Sequence, residues 1–113
     1  NYEIADFIEK STRYDDKVFV WGDGPPIYAL SRRLPPGKYV ATYHINDFSS
    51  QEETLSVLSL DMPLLIILLP GAPDFPEIVP FLRENYIFVN SFAGAEVWRL
   101  IGSEYQLLLN KLF

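Results

Sequence analysis

The sequence contains no cysteine, one histidine and one methionine. Without cysteine the chain forms no disulfide framework, no thiolate metal site and no thiol nucleophile. Cations are also scarce, because nine Lys and Arg stand against fifteen Asp and Glu and leave a formal net charge of −6. These cations are scattered, whereas nucleic acid is bound through clustered cations. We therefore expect no nucleic-acid partner.

Long hydrophobic runs are missing as well. The longest covers residues 64–69, whereas a membrane-spanning helix needs about 20 apolar residues. We therefore predict no transmembrane segment in this sequence. The sequence opens on Asn1 and passes at once into an amphipathic pattern, with no signal-peptide pattern. We predict that residues 1–113 form a single soluble domain that belongs to a longer protein.

What the sequence does contain is an alternation of helix and strand patterns. Hydrophobic residues make up 49% of the chain, which is enough for a packed core. Apolar spacing and turn residues predict strands over residues 18–21, 39–43, 64–69, 87–89 and 96–100. Helices are predicted before the first strand, between the first four strands and after the last, whereas a turn joins the last two strands. Such alternation favours parallel strands with helices on both faces. We predict an α/β fold, a three-layer Rossmann-like sheet that is mainly parallel, with a C-terminal antiparallel hairpin and a C-terminal helix.

The glycine turn after the first predicted strand invites a comparison with nucleotide-binding sites. Gly22, Asp23 and Gly24 follow a strand and precede a helix, where dinucleotide-binding folds hold phosphate. However, Ile27 replaces the third glycine of that fingerprint, and two prolines remove backbone donors. A tight strand-to-helix turn is therefore favoured, although a small-molecule or nucleotide-binding domain stays an alternative.

Catalytic and metal-binding arrangements are poorly supported by the sequence. A serine hydrolase would have to use the sole histidine, His44, and no nucleophile-elbow motif accompanies it. Asp15 and Asp16 precede the first strand whereas Asp23 follows it, which separates them by roughly 15 Å in extended geometry. We therefore predict no catalytic residue, no metal ligand and no cofactor in this chain.

One polar and aromatic cluster is a candidate site for a ligand or an acceptor. Guanidinium groups bind phosphate in a bidentate manner, and aromatic rings stack on sugars or lipid head groups. The candidate contact residues are Trp21, Asp23, Tyr28, Arg32, Arg33 and Tyr39. The alternative is that Arg32 and Arg33 interact with the C-terminal end of a short helix and its dipole.

The last residues of the sequence are apolar enough to need a partner surface. Ser103 has the character of a helix cap, and the residues that follow it include Leu107, Leu108, Leu112 and Phe113. These four side chains offer a surface for self-association. A protein-interaction or dimerisation module is therefore a further hypothesis for the chain.

A resemblance to a known family begins with the pattern W-G-x-x-P-x-I-Y-x-L-S-x-R over residues 21–33. Together with residues 4–8, 15–20 and 34–39, this pattern resembles the soluble C-terminal domain of multi-spanning glycosyltransferases that use a lipid-phosphate sugar. Protein O-mannosyltransferase-like and aminoarabinose-transferase-like proteins belong to this group. Residues 86–99 resemble its closing hairpin. Two positions depart from the pattern, because the family often has an aromatic or small residue at position 23 and glycine at position 32.

The resemblance implies a function that the chain does not carry alone. Its parent would be a transferase of the C-type glycosyltransferase superfamily that moves a sugar from a polyprenyl-phosphate donor to a protein or lipid acceptor. The parent's catalytic acids would lie near membrane helices outside this sequence, so this chain would be a non-catalytic accessory domain. The implied location is the extracytoplasmic face of the cell membrane. The implied partners are the membrane-embedded part of the same chain and an acceptor protein or lipid-linked sugar.

Overall fold

A computed structural model describes residues 2–22, 25–36, 48–92 and 94–103. Within these ranges the chain forms α1 (Tyr2–Ser11), β1 (Val18–Trp21), α2 (Pro25–Ser31), α3 (Phe48–Leu60), β2 (Leu65–Leu68), α4 (Ile78–Asn85), β3 (Tyr86–Phe92) and β4 (Ala95–Leu100). The predicted strand over residues 39–43 lies outside the described residues. So does the predicted C-terminal helix after Ser103.

The first helix follows the apolar spacing of its sequence. Ile4, Ala5 and Ile8 are buried on one face of α1. On the exposed side, Lys10 Nζ lies 2.9 Å from Asp6 Oδ2, one helical turn away. The buried face holds α1 on the sheet, because isolated helices of this length are marginal in water.

The first turns of α3 and α4 each contain a residue that is unusual inside a helix. α3 begins at Phe48, so Ser50 lies inside its first turn instead of preceding the helix as a cap. Helix boundaries shift by one or two residues at little cost. Pro80 does not break α4, since it stands in the first turn, where its missing N–H would have had no helical partner.

The described strands form one mixed sheet in the order β1-β2-β4-β3. β1 and β2 are parallel, with Val18 opposite Leu65, whereas β2–β4 and β4–β3 are antiparallel. The prediction of a mainly parallel sheet is therefore wrong for the described strands, since one pairing of three is parallel. The predicted C-terminal hairpin is confirmed.

Burial explains why β4 separates β2 from β3. β2 is apolar on both faces, so it needs helices above and below. β4 buries every second side chain and suits a position beside β2, whereas most of β3 is exposed and suits an edge. The hairpin therefore turns back so that its second strand reaches β2.

Two apolar cores lie on opposite faces of this sheet. On one face, Ile4 and Ile8 of α1 and Ile27 of α2 pack with the inward residues of β1, β2 and β4. On the other face, Leu58 of α3 and Leu82 of α4 pack with Phe19, Trp21, Ile66 and Tyr86. The helices thus cover both faces of the sheet, and the side chains of β1 alternate between the two cores.

Candidate functional site

Trp21 ends β1 and is buried against the segment that follows β2. Its indole Nε1 donates a hydrogen bond to Pro73 O at 2.6 Å. Its ring packs against Phe75 with the ring centroids 4.6 Å apart. Both contacts satisfy a large amphipathic side chain, which would otherwise leave a buried N–H without an acceptor. Trp21 therefore joins the carboxyl end of β1 to the loop after β2.

Tyr28 lies on α2 and reaches the edge of β1 that faces away from β2. Val20 N donates a hydrogen bond to the Tyr28 hydroxyl at 2.8 Å, and Val18 N donates to Leu34 O at 3.0 Å. These two acceptors satisfy the outward N–H groups of β1. A buried backbone N–H without a partner costs about 1–3 kcal/mol. The hydroxyl of Tyr28 therefore provides the acceptor that a neighbouring strand would otherwise provide for Val20 N.

Arg33 follows α2 and binds the C-terminal end of α1. Its Nε donates to Thr12 Oγ1 at 2.8 Å, and its terminal nitrogens donate to the carbonyl oxygens of Glu9, Thr12 and Ser31 at 3.1 to 3.3 Å. The last carbonyls of a helix have no partner inside the helix, and a cation there is favoured by the helix dipole. The arginine contacts described for this side chain are therefore internal to the fold.

Arg32 is exposed and stands in the left-handed region of backbone space. Its φ is 59°, and its N–H donates to Tyr28 O at 2.9 Å. This is the geometry of a helix C-terminal cap, a position where glycine is preferred because it has no Cβ. The glycine that the resemblance places at position 32 therefore has a backbone explanation.

Replacing Arg32 by glycine is expected to stabilise the chain. A non-glycine residue in this region costs about 1 kcal/mol, so the free energy of unfolding should rise by up to about that amount. Urea unfolding followed by circular dichroism measures the change. The control is Arg32→Ala, which removes the guanidinium but keeps Cβ and should give no gain. Equal gains in both variants would assign the effect to the side chain instead of the backbone.

The sheet separates the predicted contact residues from one another. Trp21 belongs to the core under α3 and α4, whereas Tyr28 belongs to the core under α1 and α2. Arg33 precedes Leu34, which forms a bridge with Lys17 at the amino end of β1, opposite the end that Trp21 occupies. Asp23 and Tyr39 lie outside the described residues. The described members of the candidate cluster therefore do not share one surface, and a ligand contact at these residues stays a prediction.

The sequence did not single out a second buried arginine, Arg99. Its Nε donates to Ser103 Oγ at 2.9 Å, and one terminal nitrogen donates to Ser11 O at 3.1 Å. Arg33 and Arg99 thus bring two guanidinium groups to the C-terminal end of α1. The signal in the sequence is an arginine in step with the apolar inward residues Ala95 and Val97, since inward and outward residues of a strand alternate.

Gly22 allows the carboxyl ends of the two parallel strands to approach closely. Its φ is 129°, and a Cβ built on it would lie 2.8 Å from Leu69 Cβ. Residues with a side chain rarely adopt this backbone conformation, and the close contact with Leu69 leaves no room for a Cβ. Packing therefore accounts for this glycine without a bound phosphate.

Comparison with protein-family models, curated proteins and solved structures finds no match. Within the described ranges no three His, Asp or Glu side chains lie together as metal ligands. Among the helices described, none combines the length and the apolar character needed to cross a membrane.

Two buried tyrosines make the fold sensitive to alkaline pH. Burial raises the pKa of Tyr28, and the hydrogen bond from Val20 N–H opposes this in part. Burial also raises the pKa of Tyr86, whose hydroxyl donates to Pro63 O at 2.6 Å. Unfolded tyrosine has a pKa of about 10. The stabilisation is therefore complete below about pH 10 and is lost as the pH rises towards the folded-state values, because only the unfolded state releases these protons.

We expect Tyr28 and Tyr86 to ionise only as the chain unfolds. Tyrosinate absorbance and far-ultraviolet circular dichroism, followed together through an alkaline titration, measure this. Replacing the exposed Tyr14 by phenylalanine should leave the coupled step unchanged. Ionisation of all tyrosines near pH 10 with the fold intact would contradict the assignment.

Proposed function

We propose that this chain is a non-catalytic accessory domain of an integral-membrane glycosyltransferase. The parent enzyme would move a sugar from a polyprenyl-phosphate donor to a protein or lipid acceptor at the extracytoplasmic face. The observation that carries this proposal is that the conspicuous residues of the pattern over residues 21–33 make structural contacts within the fold. Trp21, Tyr28 and Arg33 each make the internal contacts that join β1 and α2 to the rest of the fold. A sequence pattern with a structural role supports the same domain fold as in the family that the chain resembles. On this proposal, the catalytic residues belong to the rest of the parent enzyme.

Charge supports contact with the parent's own membrane-embedded part. The chain carries a formal net charge of −6, and anionic head groups repel a negative surface. We propose that the domain stands off the lipid and packs on the membrane-embedded part of its own chain, near the acceptor protein or the lipid-linked sugar. We assign no cofactor to the domain.

The finer description of the fold is also a proposal. Helices cover both faces of the sheet, and β1 and β2 are parallel. These features support a three-layer, Rossmann-like arrangement, although the hairpin strands give the described sheet more antiparallel than parallel pairings.

An interaction module is the second candidate function. β3 ends the described sheet and exposes Ile87, Phe88 and Val89, and an apolar edge strand is a template for pairing with another chain. On this hypothesis the chain would associate through β3 without any link to a transferase.

The native polypeptide in the source cells tests the proposal. An antibody raised against this chain should detect a band several times heavier than 13.0 kDa, found only in membranes. Protease added to intact cells should remove the band, while a cytoplasmic marker protein survives as the control for sealed membranes. A band near 13 kDa in the soluble fraction would overturn the proposal.

Activity of the captured polypeptide gives a second and independent test. Material bound to the antibody should transfer sugar from polyprenyl-phosphate sugars, whereas the 113-residue chain alone should not. Heat-treated captured material is the control. Transfer by the isolated chain would show that the domain is itself catalytic.

A further inference from the structure

Two aromatic rings and a carboxylate lie at the surface of the hairpin, on the face of the sheet that carries α3 and α4. Phe88 is opposite Trp98, and opposed side chains point to the same face. Their ring centroids are 5.5 Å apart, and the ring planes meet at 74°. Phe88 is 48% exposed, Trp98 is partly buried, and Glu96 is exposed. We call these three residues the Trp98 corner, because its two rings meet nearly at a right angle.

The indole of Trp98 holds the carboxylate of Glu96 beside the rings. Residues two apart on a strand lie on the same face, and Trp98 Nε1 donates a hydrogen bond to Glu96 Oε1 at 3.0 Å. A carboxylate has about four acceptor positions, and this bond uses one of them. Among the described residues, neither of the two salt bridges involves Glu96. Its remaining acceptor positions and its negative charge therefore suit a cationic donor.

The packing on this face fixes Trp98 but not Phe88. Tyr86, at the start of β3, is buried in the core under α3 and α4, and its ring centroid lies 5.8 Å from that of Phe81 on α4. Trp98 packs against the same core, whereas Phe88, two residues after Tyr86, is not among its members. Trp98 therefore links the core to a surface that solvent reaches.

The chemistry of the Trp98 corner matches an arginine side chain. Aromatic faces attract cations, and a planar guanidinium both stacks on rings and pairs with a carboxylate through two N–H groups. A quaternary ammonium group would contact the rings but has no N–H to donate to Glu96. An anion such as phosphate would be repelled by the carboxylate. We propose that the Trp98 corner binds an arginine side chain of a partner protein.

This arginine has to come from another molecule. All five arginines of the chain lie within the described ranges. Arg33 and Arg99 bind the C-terminal end of α1, on the opposite face of the sheet. For Glu96, the bond described is the one from Trp98. The net charge of −6 favours a basic partner over a second copy, because a second copy carries the same charge.

Nuclear magnetic resonance of the full 113-residue chain tests this proposal with short capped peptides. The chain has two tryptophans, and the indole of Trp21 is bonded to Pro73 O, so its N–H resonance is an internal reference. A Gly-Arg-Gly peptide should shift the indole N–H resonance of Trp98 in a saturable way and leave that of Trp21 in place. We expect a dissociation constant of about 1 mM or weaker, because exposed cation–π contacts and surface ion pairs are individually weak.

Two further peptides separate the guanidinium from charge and shape. Gly-Lys-Gly carries the same charge without the planar fork, so it should bind about threefold more weakly. Gly-citrulline-Gly has nearly the same shape without the charge, and it should give no saturable shift of Trp98. Equal shifts from the arginine and citrulline peptides would overturn the proposal, because the corner would then select shape alone.

Matched variants locate the binding. Glu96→Gln removes the charge but keeps an oxygen for the Trp98 indole, and it should weaken Gly-Arg-Gly binding about fivefold or more. Phe88→Leu keeps an apolar side chain without a ring, so we expect about threefold weaker binding. The control is Glu3→Gln, which removes the same charge from an exposed residue of α1 on the opposite face. Its dissociation constant should stay within about twofold of that of the parent chain.

Each remaining outcome decides the proposal. Selective weakening in Glu96→Gln supports it, whereas equal affinities of Glu96→Gln and Glu3→Gln would assign the attraction to net charge and overturn it. Choline chloride that shifts Trp98 at lower concentration than Gly-Arg-Gly would assign the corner to a choline head group and also overturn it. So would a Trp98 shift that grows with protein concentration before peptide is added, since it would indicate a second copy. The result is independent of the transferase proposal, which rests on the native polypeptide in membranes.

Discussion

Replacing Arg33 by methionine is expected to lower the free energy of unfolding by about 2–4 kcal/mol. Methionine keeps much of the apolar stem but removes the group that donates to Thr12 Oγ1 and to the carbonyl oxygens of Glu9, Thr12 and Ser31. These acceptors are at least partly shielded from water, so several would lose a partner without full replacement by solvent. The loss should appear as a lower urea midpoint with an unchanged slope.

Two companion variants separate the guanidinium from charge and bulk. Arg83→Met changes an exposed arginine in the last turn of α4 and should shift stability by less than about 0.5 kcal/mol. Arg33→Lys keeps the charge but loses the planar fork, so we expect an intermediate loss. Stability of Arg33→Met within about 0.5 kcal/mol of the parent chain would contradict a structural role for this arginine.

The local sequence pattern predicted most helices and strands of this fold, because the spacing of apolar residues shows which faces of an element are buried. Residues 18–21 and 64–69 are apolar on both faces and form the buried parallel pair. The hairpin follows from two short apolar runs close in sequence. Strand order did not follow, since it depends on which strand of the hairpin can bury a face beside β2. The exposed side chains of β3 place it at the edge, and the local sequence pattern does not show this exposure.

The described members of the candidate cluster lie apart for a related reason. Spacing in sequence placed Trp21 and Tyr28 near each other, but successive strand residues point to opposite faces. Trp21 therefore enters the core under α3 and α4, whereas Tyr28 belongs to α2 on the other face and accepts a hydrogen bond from Val20 N there. Arg33 contacts carbonyl oxygens at a helix end, as one alternative predicted, whereas the contact described for Arg32 is made by its backbone N–H. The helix that Arg33 serves, however, is mainly α1, which precedes it by a whole strand, and sequence spacing cannot show such a contact.

Replacing Gly22 by alanine should lower the free energy of unfolding more than the same change at Gly71, Gly94 or Gly102. The φ of 129° is unfavourable for alanine, and the new Cβ would lie 2.8 Å from Leu69 Cβ and 3.0 Å from Leu69 Cδ1. Backbone strain costs about 1–2 kcal/mol, and overpacking costs about 1–3 kcal/mol more. We therefore expect a total loss of about 2–5 kcal/mol, measured by thermal and urea unfolding.

Gly71→Ala separates these two contributions. Gly71 has a φ of 77°, and a Cβ there would meet nothing within 4 Å, so it carries strain without a clash. In a Leu69→Gly background, the cost of Gly22→Ala should fall towards the cost of Gly71→Ala, because the clashing atoms are gone. If Gly22→Ala instead cost no more than Gly71→Ala in the parent chain, the strand ends would not be in tight contact. Gly22 would then have to be explained by something that approaches its backbone from outside the chain, such as a phosphate.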